Sequence, residues 1–444
     1  MASRRRKKRK LPAEPIEVEI TSLAHDGRGI ARVEGKTVFV YGAIEGERVK
    51  ARYVSRYRQY DVADAVEILQ SAEGRVTPRC DHFGQCGGCS LQHIDSEVQV
   101  AIKQRLMLEQ LENIGDVKPE EVFEPLESVP WGYRRKARLG VRNVPKKGRV
   151  LGGFRERHSN YVAELSRCDV LIPPIGGALL ALSELIGGLT LKAKIPQIEV
   201  AFGDTKGALV FRNLEQPTQE DIDLLKSFAM EHDLQVLLQP AGPDLLVPIW
   251  PEHPELWYEL PQYQVRIEFR PTDFTQVNSA LNHKMVDRAL ELLQPGENDR
   301  VLDLFCGLGN FTLPLARRCG EVVGVEGDAG LIERARQNAA SNRIENASFY
   351  AADLTDDHES ADWLEKPYDK LLLDPPRSGA LEVLPSIPKI DARRIVYVSC
   401  NPATLARDVG ELVHRYRYRL LGAGVMDMFP HTGHVESIAV FERV

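Results

Sequence analysis

Cys400 closes the apolar run Ile395-Val396-Tyr397-Val398-Ser399-Cys400, and the turn Asn401-Pro402 follows it. Such a run reads as a buried strand. Ligands of open α/β sheets bind beyond the carboxyl ends of the strands. A thiol at that point is placed to attack a substrate, because a thiolate is strongly nucleophilic near neutral pH. A lone cysteine at a strand end is more often packing than chemistry. Here its company argues for chemistry: Glu436 lies downstream in His431-Thr432-Gly433-His434-Val435-Glu436, and Asp374-Pro375-Pro376-Arg377 lies upstream. A thiol with a carboxylate pairs a nucleophile with a general base.

A cofactor loop precedes both. Asp303-Leu304-Phe305-Cys306-Gly307-Leu308-Gly309-Asn310 follows a strand and opens a helix. Its two glycines let the backbone approach a ligand closely. Glu326 ends the next strand, where a carboxylate can accept from both hydroxyls of a ribose. Asp353 and Asp374 end two more. This pattern resembles the S-adenosylmethionine site of class I methyltransferases. The bland alternative is a helix-capping turn with ordinary surface acids. With a methyl donor and a thiol together, uracil C5 is the fitting acceptor. That carbon is too weak a nucleophile to take a methyl group directly. Thiolate addition at C6 makes an enolate, C5 then attacks the methyl, and a base removes the C5 proton. Adenine amino-methyltransferases end a similar Pro-Pro turn in an aromatic residue, and RNA cytosine-5 enzymes place a cysteine there. Arg377 stands at that position here.

A second cysteine set lies far upstream. Cys80, Cys86 and Cys89 fall in Cys80-Asp81-His82-Phe83-Gly84-Gln85-Cys86-Gly87-Gly88-Cys89, and Cys168 can supply a fourth thiolate. Four cysteines hold a [4Fe–4S] cluster or tetrahedral zinc. Three clustered thiols with one remote favour iron–sulfur over a zinc ribbon built from paired Cys-x-x-Cys halves. Cys306 and Cys319 receive no role.

The elements that position these residues follow from patterning. Residues 1–13 form a basic tail, expected to be disordered. Arg4 to Lys10 carry seven positive charges in a chain of net charge −7, so a basic arm precedes an acidic body. That combination fits contact with a polyanion. Residues 14–72 read as a five-stranded OB-like barrel, with strands near 17–20, 36–40 and 48–53. Residues 73–270 read as a β-rich central domain, with a helix over 96–113 started by Ser96. Its basic stretch Tyr133–Arg138 suits either phosphate contact or a solvated face. From 271 to 444 strands and helices alternate, which implies a parallel sheet covered on both faces. The fold class is therefore α/β, a Rossmann-like domain behind an OB-type barrel. No apolar run is long enough to span a membrane. An odd cysteine count with no secretory signal points to the reducing cytosol.

In order and spacing these motifs resemble the RNA uracil-5 methyltransferases, in particular those acting on bacterial 23S rRNA. Phe274-Thr275-Gln276-Val277-Asn278 is similar to that family's Phe-x-Gln-x-Asn signature. The resemblance covers nearly the whole chain after the tail. It implies a TRAM module at the barrel, a [4Fe–4S] cluster on Cys80, Cys86, Cys89 and Cys168, and methylation of a 23S rRNA uridine, position 1939. It implies S-adenosylmethionine contacts from Gln276, Phe305, Asn310, Glu326, Asp353 and Asp374. Cys400 would be the nucleophile and Glu436 the base. It also implies that residues 104–136 pack with the catalytic domain. The expected protein is a cytoplasmic monomer that binds RNA, with no membrane and no obligate protein partner. Another rRNA uridine, a tRNA uridine, and a non-catalytic RNA-binding iron–sulfur factor are the competing readings. A radical S-adenosylmethionine enzyme lacks its Cys-x3-Cys-x2-Cys spacing here.

Overall fold

The computed structural model describes residues 11–24, 26–242, 245–356 and 361–444. The basic run Arg4–Lys10 lies outside the described residues. The chain divides into two compact units. The first comprises residues 1–103, 156–159 and 429–434. The second comprises 104–155, 160–428 and 435–444. The division falls within the helix Ser96–Asn113. Asp95 starts that helix, accepting from the Glu97 N–H at 2.9 Å, so the cap sits one residue before the expected Ser96.

The first unit contains a six-stranded sheet, one strand more than the barrel pattern suggests. Ile16–Glu19, Arg48–Arg56, Tyr60–Gln70, Lys36–Tyr41, Gly29–Val33 and Ser22–Leu23 lie side by side in that order. The extra strand is the two-residue Ser22–Leu23, paired back onto Gly29–Val33 and too short to leave a period. Alternate residues of the long strands turn inward, and Val18, Val38, Val40, Val49 and Ala51 form the apolar core.

Two sheets and a hairpin build the second unit. The mixed sheet runs Val247–Trp250, Leu234–Gln239, Gly207–Arg212, Gln197–Phe202, Lys136–Val144 and Arg149–Gly153. Its single parallel pair, Gly207–Arg212 with Leu234–Gln239, is joined by the helix Gln219–Glu231, which Thr218 and Asp221 start as a capping box. The basic stretch at 133–138 is spent within this unit. Arg135 pairs with Asp204, Arg138 with Glu199, and Lys136 donates to the Asp273 carbonyl. The phosphate-contact alternative loses those three cations to internal partners.

The catalytic sheet has strands β1 (Arg300–Leu304), β2 (Glu321–Glu326), β3 (Ala347–Ala351), β4 (Lys370–Leu373), β5 (Arg394–Ser399), β6 (Tyr418–Met426) and β7 (Glu436–Arg443). They lie in the order β3-β2-β1-β4-β5-β7-β6, and Glu121–Val122 adds an edge beyond β6. Strands β1 to β5 are parallel and almost wholly buried, as continuous apolar runs must be when helices cover both faces. β7 runs antiparallel to both neighbours, a departure from the all-parallel expectation. Residues 104–126 pack along β6: Phe123 N–H donates to Ala423, and Gln104 bridges Phe123 and Val425. Among the described residues, no helix is long and apolar enough to cross a membrane.

Candidate active site

Five parallel strands end at one edge of the catalytic sheet, and most candidate residues sit on the turns that follow. After β1, Phe305 takes φ 67° and its N–H bonds to Val325 of β2 at 2.8 Å. Gly307 (φ 54°) and Gly309 (φ 91°) continue the turn. No atom of the described residues lies within 4 Å of where a Gly307 Cβ would stand, so the loop borders open space. Glu326, at the end of β2, accepts from the Gly307 and Asp328 N–H groups, each at 3.2 Å. Asp353, beyond β3, is exposed and folds onto its own turn, accepting from Thr355 N–H at 3.0 Å and its hydroxyl at 2.7 Å. Gln276 is half-buried on the segment leading into the helix Ser279–Leu293, which Asn278 caps.

Asp303, the first residue of the Gly-rich pattern and one given no role by it, is the buried centre of this edge. It is fully buried inside β1, and the Thr312 hydroxyl donates to its Oδ2. Its Oδ1 has no partner among the described residues. Burial, with the Asp374 and Glu326 carboxylates, pushes Asp303 up to about 8. Burial, then Glu326, pushes Asp374 up to about 7. Asp303, Asp374 and Glu326 thus crowd one edge of the sheet, with one Asp303 oxygen unpaired among the described residues.

Cys400 and Glu436 are brought together by sheet register. β5 and β7 pair antiparallel, with Ser399 opposite Ser437. The paired ladder ends there, and Cys400 and Glu436 are the next residues of the two segments beyond it. Burial, then the Glu436 and Asp374 carboxylates, pushes the Cys400 thiol up to about 11, while Arg377 acts in the other direction. Cys400, Glu436 and the Asp374-Pro375-Pro376-Arg377 turn therefore act on one another electrostatically.

Two further residue groups hold these turns, and neither has a local signature. Asp408 is fully buried in the helix Pro402–His414 that follows Cys400. Its Oδ2 accepts from the Tyr397 hydroxyl of β5 and from the Ala380 N–H, both at 2.7 Å. Its Oδ1 accepts from Arg407 Nε at 2.8 Å, and Arg407 donates on to the Ser378 carbonyl. Asn401 and Thr404 side chains donate to the Arg377 carbonyl at 3.1 and 3.2 Å. These bonds clamp the turn after Cys400 to the turn after Asp374. The second group surrounds Asn310. Its Oδ1 accepts from the Tyr258 hydroxyl at 2.9 Å and from Asn282 Nδ2 at 3.0 Å, and its Nδ2 donates to Asn282 Oδ1 at 3.0 Å. The Asn310 amide is thus already engaged with protein.

The upstream cysteines divide between the units. Cys80, Cys86 and Cys89 share one loop of the first unit. Gly88 N–H points at Cys86 Sγ at 3.4 Å, Cys86 N–H bonds to His82, and Cys80 N–H to Gln92 Oε1. Burial pushes the Cys86 thiol up, and Cys80 adds to the rise. Cys168 is half-buried in the second unit, where its N–H bonds to Gly176. No disulfide joins any of the seven cysteines, and among the described residues no three His, Cys, Asp or Glu side chains form a metal-holding group.

Comparison with known proteins gives two family profiles. One, for the TRAM domain, matches residues 9–65, and another, tRNA (Uracil-5-)-methyltransferase, matches 255–444. The 23S rRNA (uracil(1939)-C(5))-methyltransferase RlmD of Alkalilimnicola ehrlichii is 55% identical over 439 residues, 99% of either chain. The chain belongs to the RNA uracil-5 methyltransferase family. The enzyme of the same name from Methylococcus capsulatus is 53% identical over 440 residues, again 99% of each chain. Family membership makes this chain a methyltransferase with a TRAM module. Among solved structures, the Pyrococcus abyssi tRNA (uracil-54, C5)-methyltransferase in complex with S-adenosyl-L-homocysteine shares the fold. It has a TM-score of 0.73 and 24% identity, covering 96% of this chain and 99% of that one.

Proposed function

We propose that this chain methylates carbon 5 of a uridine in 23S rRNA, at the position 1939 that its relatives' name specifies, with S-adenosylmethionine as methyl donor. The observation that carries the reading is the electrostatic contact of Cys400 with Glu436 and Asp374, just beyond the end of the β5–β7 ladder, at the strand edge bearing Asp303 and Glu326. When bound, S-adenosylmethionine supplies an electrophilic methyl group on a sulfonium cation. The orphaned Asp303 oxygen and its two carboxylate neighbours fit such a cation. Glu326 keeps lone pairs for ribose hydroxyls after its two backbone bonds. By family resemblance Gln276, Phe305, Asn310 and Asp353 would also contact the cofactor, with the Asn310 amide held in place by Tyr258 and Asn282.

The target uridine must leave its stack to reach a recessed thiol. The Cys400 thiolate adds to C6, moving the C5–C6 electron pair to form an enolate through O4. C5 then uses that electron pair to bond the methyl carbon, the S–CH3 bond breaks, and S-adenosylhomocysteine is the leaving group. Glu436 takes the C5 proton, the C5–C6 double bond returns, and the thiolate leaves. Cys400 and Glu436 emerge unchanged once Glu436 releases the proton to water.

The thiol donor set fits an iron–sulfur group, since three cysteines share a loop whose glycine N–H points at sulfur. Cys80, Cys86, Cys89 and Cys168 would hold a [4Fe–4S] cluster, and such a cluster would brace the fold, because methyl transfer needs no electrons. We read residues 14–72 as the RNA-binding TRAM barrel, 73–270 as the iron–sulfur domain and 271–444 as the methyltransferase domain, in a monomer. Mass spectrometry with 5-fluorouridine-substituted 23S rRNA fragments and S-adenosylmethionine tests the reading. Fluorine cannot leave as a proton does, so a methylated adduct on Cys400 should accumulate. An adduct with tRNA alone would move the substrate. No adduct with either RNA would remove the covalent mechanism.

A further inference from the structure

A recess of about 390 Å³ opens on the first unit, remote in sequence from the methyl-transfer residues. It lies within the size range of small-ligand pockets. Tyr41, Phe83, His93, Arg75 and Arg157 line it, together with the 64–68 edge of the long barrel strand. Arg75 is not available to a ligand. It is bound by both oxygens of the fully buried Glu47 and by the Gly42 carbonyl. Arg157 differs. Its guanidinium lies 5.2 Å from the Tyr41 ring centroid and 5.3 Å from that of Phe83. No carboxylate forms an ion pair with it among the described residues, since the nearby Asp64 is engaged by His158 at 3.0 Å. A half-buried, stacked guanidinium with unfilled donors is a recognition group for phosphate or for the face and edge of a base.

His93 is the second, independent observation. It is 2% exposed, and neither ring nitrogen has a hydrogen-bond partner among the described residues. The Ala43 backbone approaches the ring without completing a bond. Burial and the two arginines hold the imidazole neutral, so it presents one donor and one acceptor. Buried polar groups left unpaired are rare and call for an explanation.

The surface leading to the recess has the composition of a single-strand track. Tyr57 and Tyr60 stack at 4.8 Å, Tyr60 meets Phe39 edge-on at 5.4 Å, and Arg28 covers Phe39 at 4.3 Å and Tyr41 at 5.4 Å. Alternating rings and guanidinium groups form a platform on which successive bases stack.

We propose that this recess is a second nucleotide pocket: it takes one unpaired nucleotide of the substrate RNA, outside the methylated uridine, with Arg157 holding its phosphate or stacking its base and His93 bonding the base edge. The proposal rests on RNA being the substrate.

The test uses the full-length, iron-loaded protein and a 23S rRNA fragment containing the target uridine. Dissociation constant, KM and single-turnover rate at saturating RNA are measured for Tyr41→Leu and Arg157→Gln. Stacking contributes about 1–3 kcal/mol per base, so each variant should weaken RNA binding by roughly 5- to 150-fold. The loss should fall on KM and not on the saturated single-turnover rate. Photo-crosslinking with 4-thiouridine placed singly along the fragment should give one position that joins Tyr41 or Phe83. Unchanged RNA affinity in Tyr41→Leu, at normal iron content, overturns the proposal. So does loss of iron in Arg157→Gln with Tyr41→Leu unaffected, which would make Arg157 only a charge partner of the Cys86 and Cys89 thiols. Wild-type protein that binds the fragment but does not methylate it would remove the functional reading and leave the pocket standing or falling on the variants.

Discussion

Asp408→Ala should cost both stability and rate, in amounts that follow from its three donor residues. The carboxylate is fully buried and holds Tyr397, Ala380 and Arg407 together. Removing it strands the Tyr397 hydroxyl and the Ala380 N–H, at about 1–3 kcal/mol for each unsatisfied group. Arg407 offsets part of its own loss, because its side chain is 36% exposed and can turn to water. A total of roughly 3–5 kcal/mol follows, the range typical of breaking a buried charged network. Asp408→Asn can keep its amide oxygen on Tyr397 and Ala380 and lose only the Arg407 contact, so about 1–2 kcal/mol is expected. The rate effect comes from the same clamp. Ser378 and Ala380 follow Asp374 and Arg377, and a displacement of about 1 Å at a reacting group can cost on the order of 10²-fold. Denaturant unfolding with single-turnover methyl transfer measures both. An Asp408→Ala protein within about 0.5 kcal/mol of wild type, with an unchanged single-turnover rate, would show that the clamp positions nothing.

Four other outcomes are expected. Alkylation of Cys400 by iodoacetamide should rise about tenfold per pH unit through neutrality, since its thiol sits near 11. Glu436→Gln removes one cause of that rise, so it should alkylate faster at pH 8 while losing turnover; slower alkylation would contradict the assigned contact. Asp303 and Asp374 have folded values raised above the ordinary carboxylate value of 3.8. The folded protein therefore holds protons that the unfolded chain has released, and stability from these groups falls as pH rises toward 7 and 8. Calorimetry from pH 5 to 8 should show that slope flattened in Asp303→Asn. A sulfonium beside ionised carboxylates should bind more tightly at pH 8 than at pH 6, whereas S-adenosylhomocysteine, which lacks the charge, should change less; parallel pH profiles would refute the cation role. Cys86→Ser should lower iron and sulfide content and RNA affinity more than affinity for S-adenosylmethionine, as read by metal analysis and titration.

The chemistry was legible in the sequence wherever one strand and its following turn carried it. Asp303 to Asn310, Glu326, Asp374 and Cys400 each sit at the end of an apolar run, and strand ends show in a period of burial. What joins two distant segments left no such trace. Tyr258 and Asn282 embrace Asn310 from a hairpin and a helix, with ordinary residues on both. Asp408 reads as one acid on an amphipathic helix, although its partners come from three places in the chain. The final strand was visible as an apolar run, but its direction was not, because antiparallel and parallel buried strands share one pattern. The paired arginines at 135 and 138 looked like a basic patch because their acids, Asp204 and Glu199, lie more than sixty residues away.

The ladder between β5 and β7 also bears on how such an enzyme can change over evolutionary time. A strand that slips by one residue turns every side chain to the opposite face, so an insertion inside either strand would carry Glu436 away from Cys400. The connection between β6 and β7 is held as firmly by other bonds. The His431 carbonyl accepts from the Ser90 and Leu91 N–H groups at 2.9 and 3.0 Å, its N–H donates to Gln99 Oε1 at 2.9 Å, and Gly433 N–H donates to the Ser90 hydroxyl at 3.0 Å. A Cβ at Gly433 would stand 2.6 Å from the Asp26 backbone, so even a methyl group has no room there. Gaps in an alignment of descendants should therefore be missing from β5, from β7 and from residues 429–434 alike.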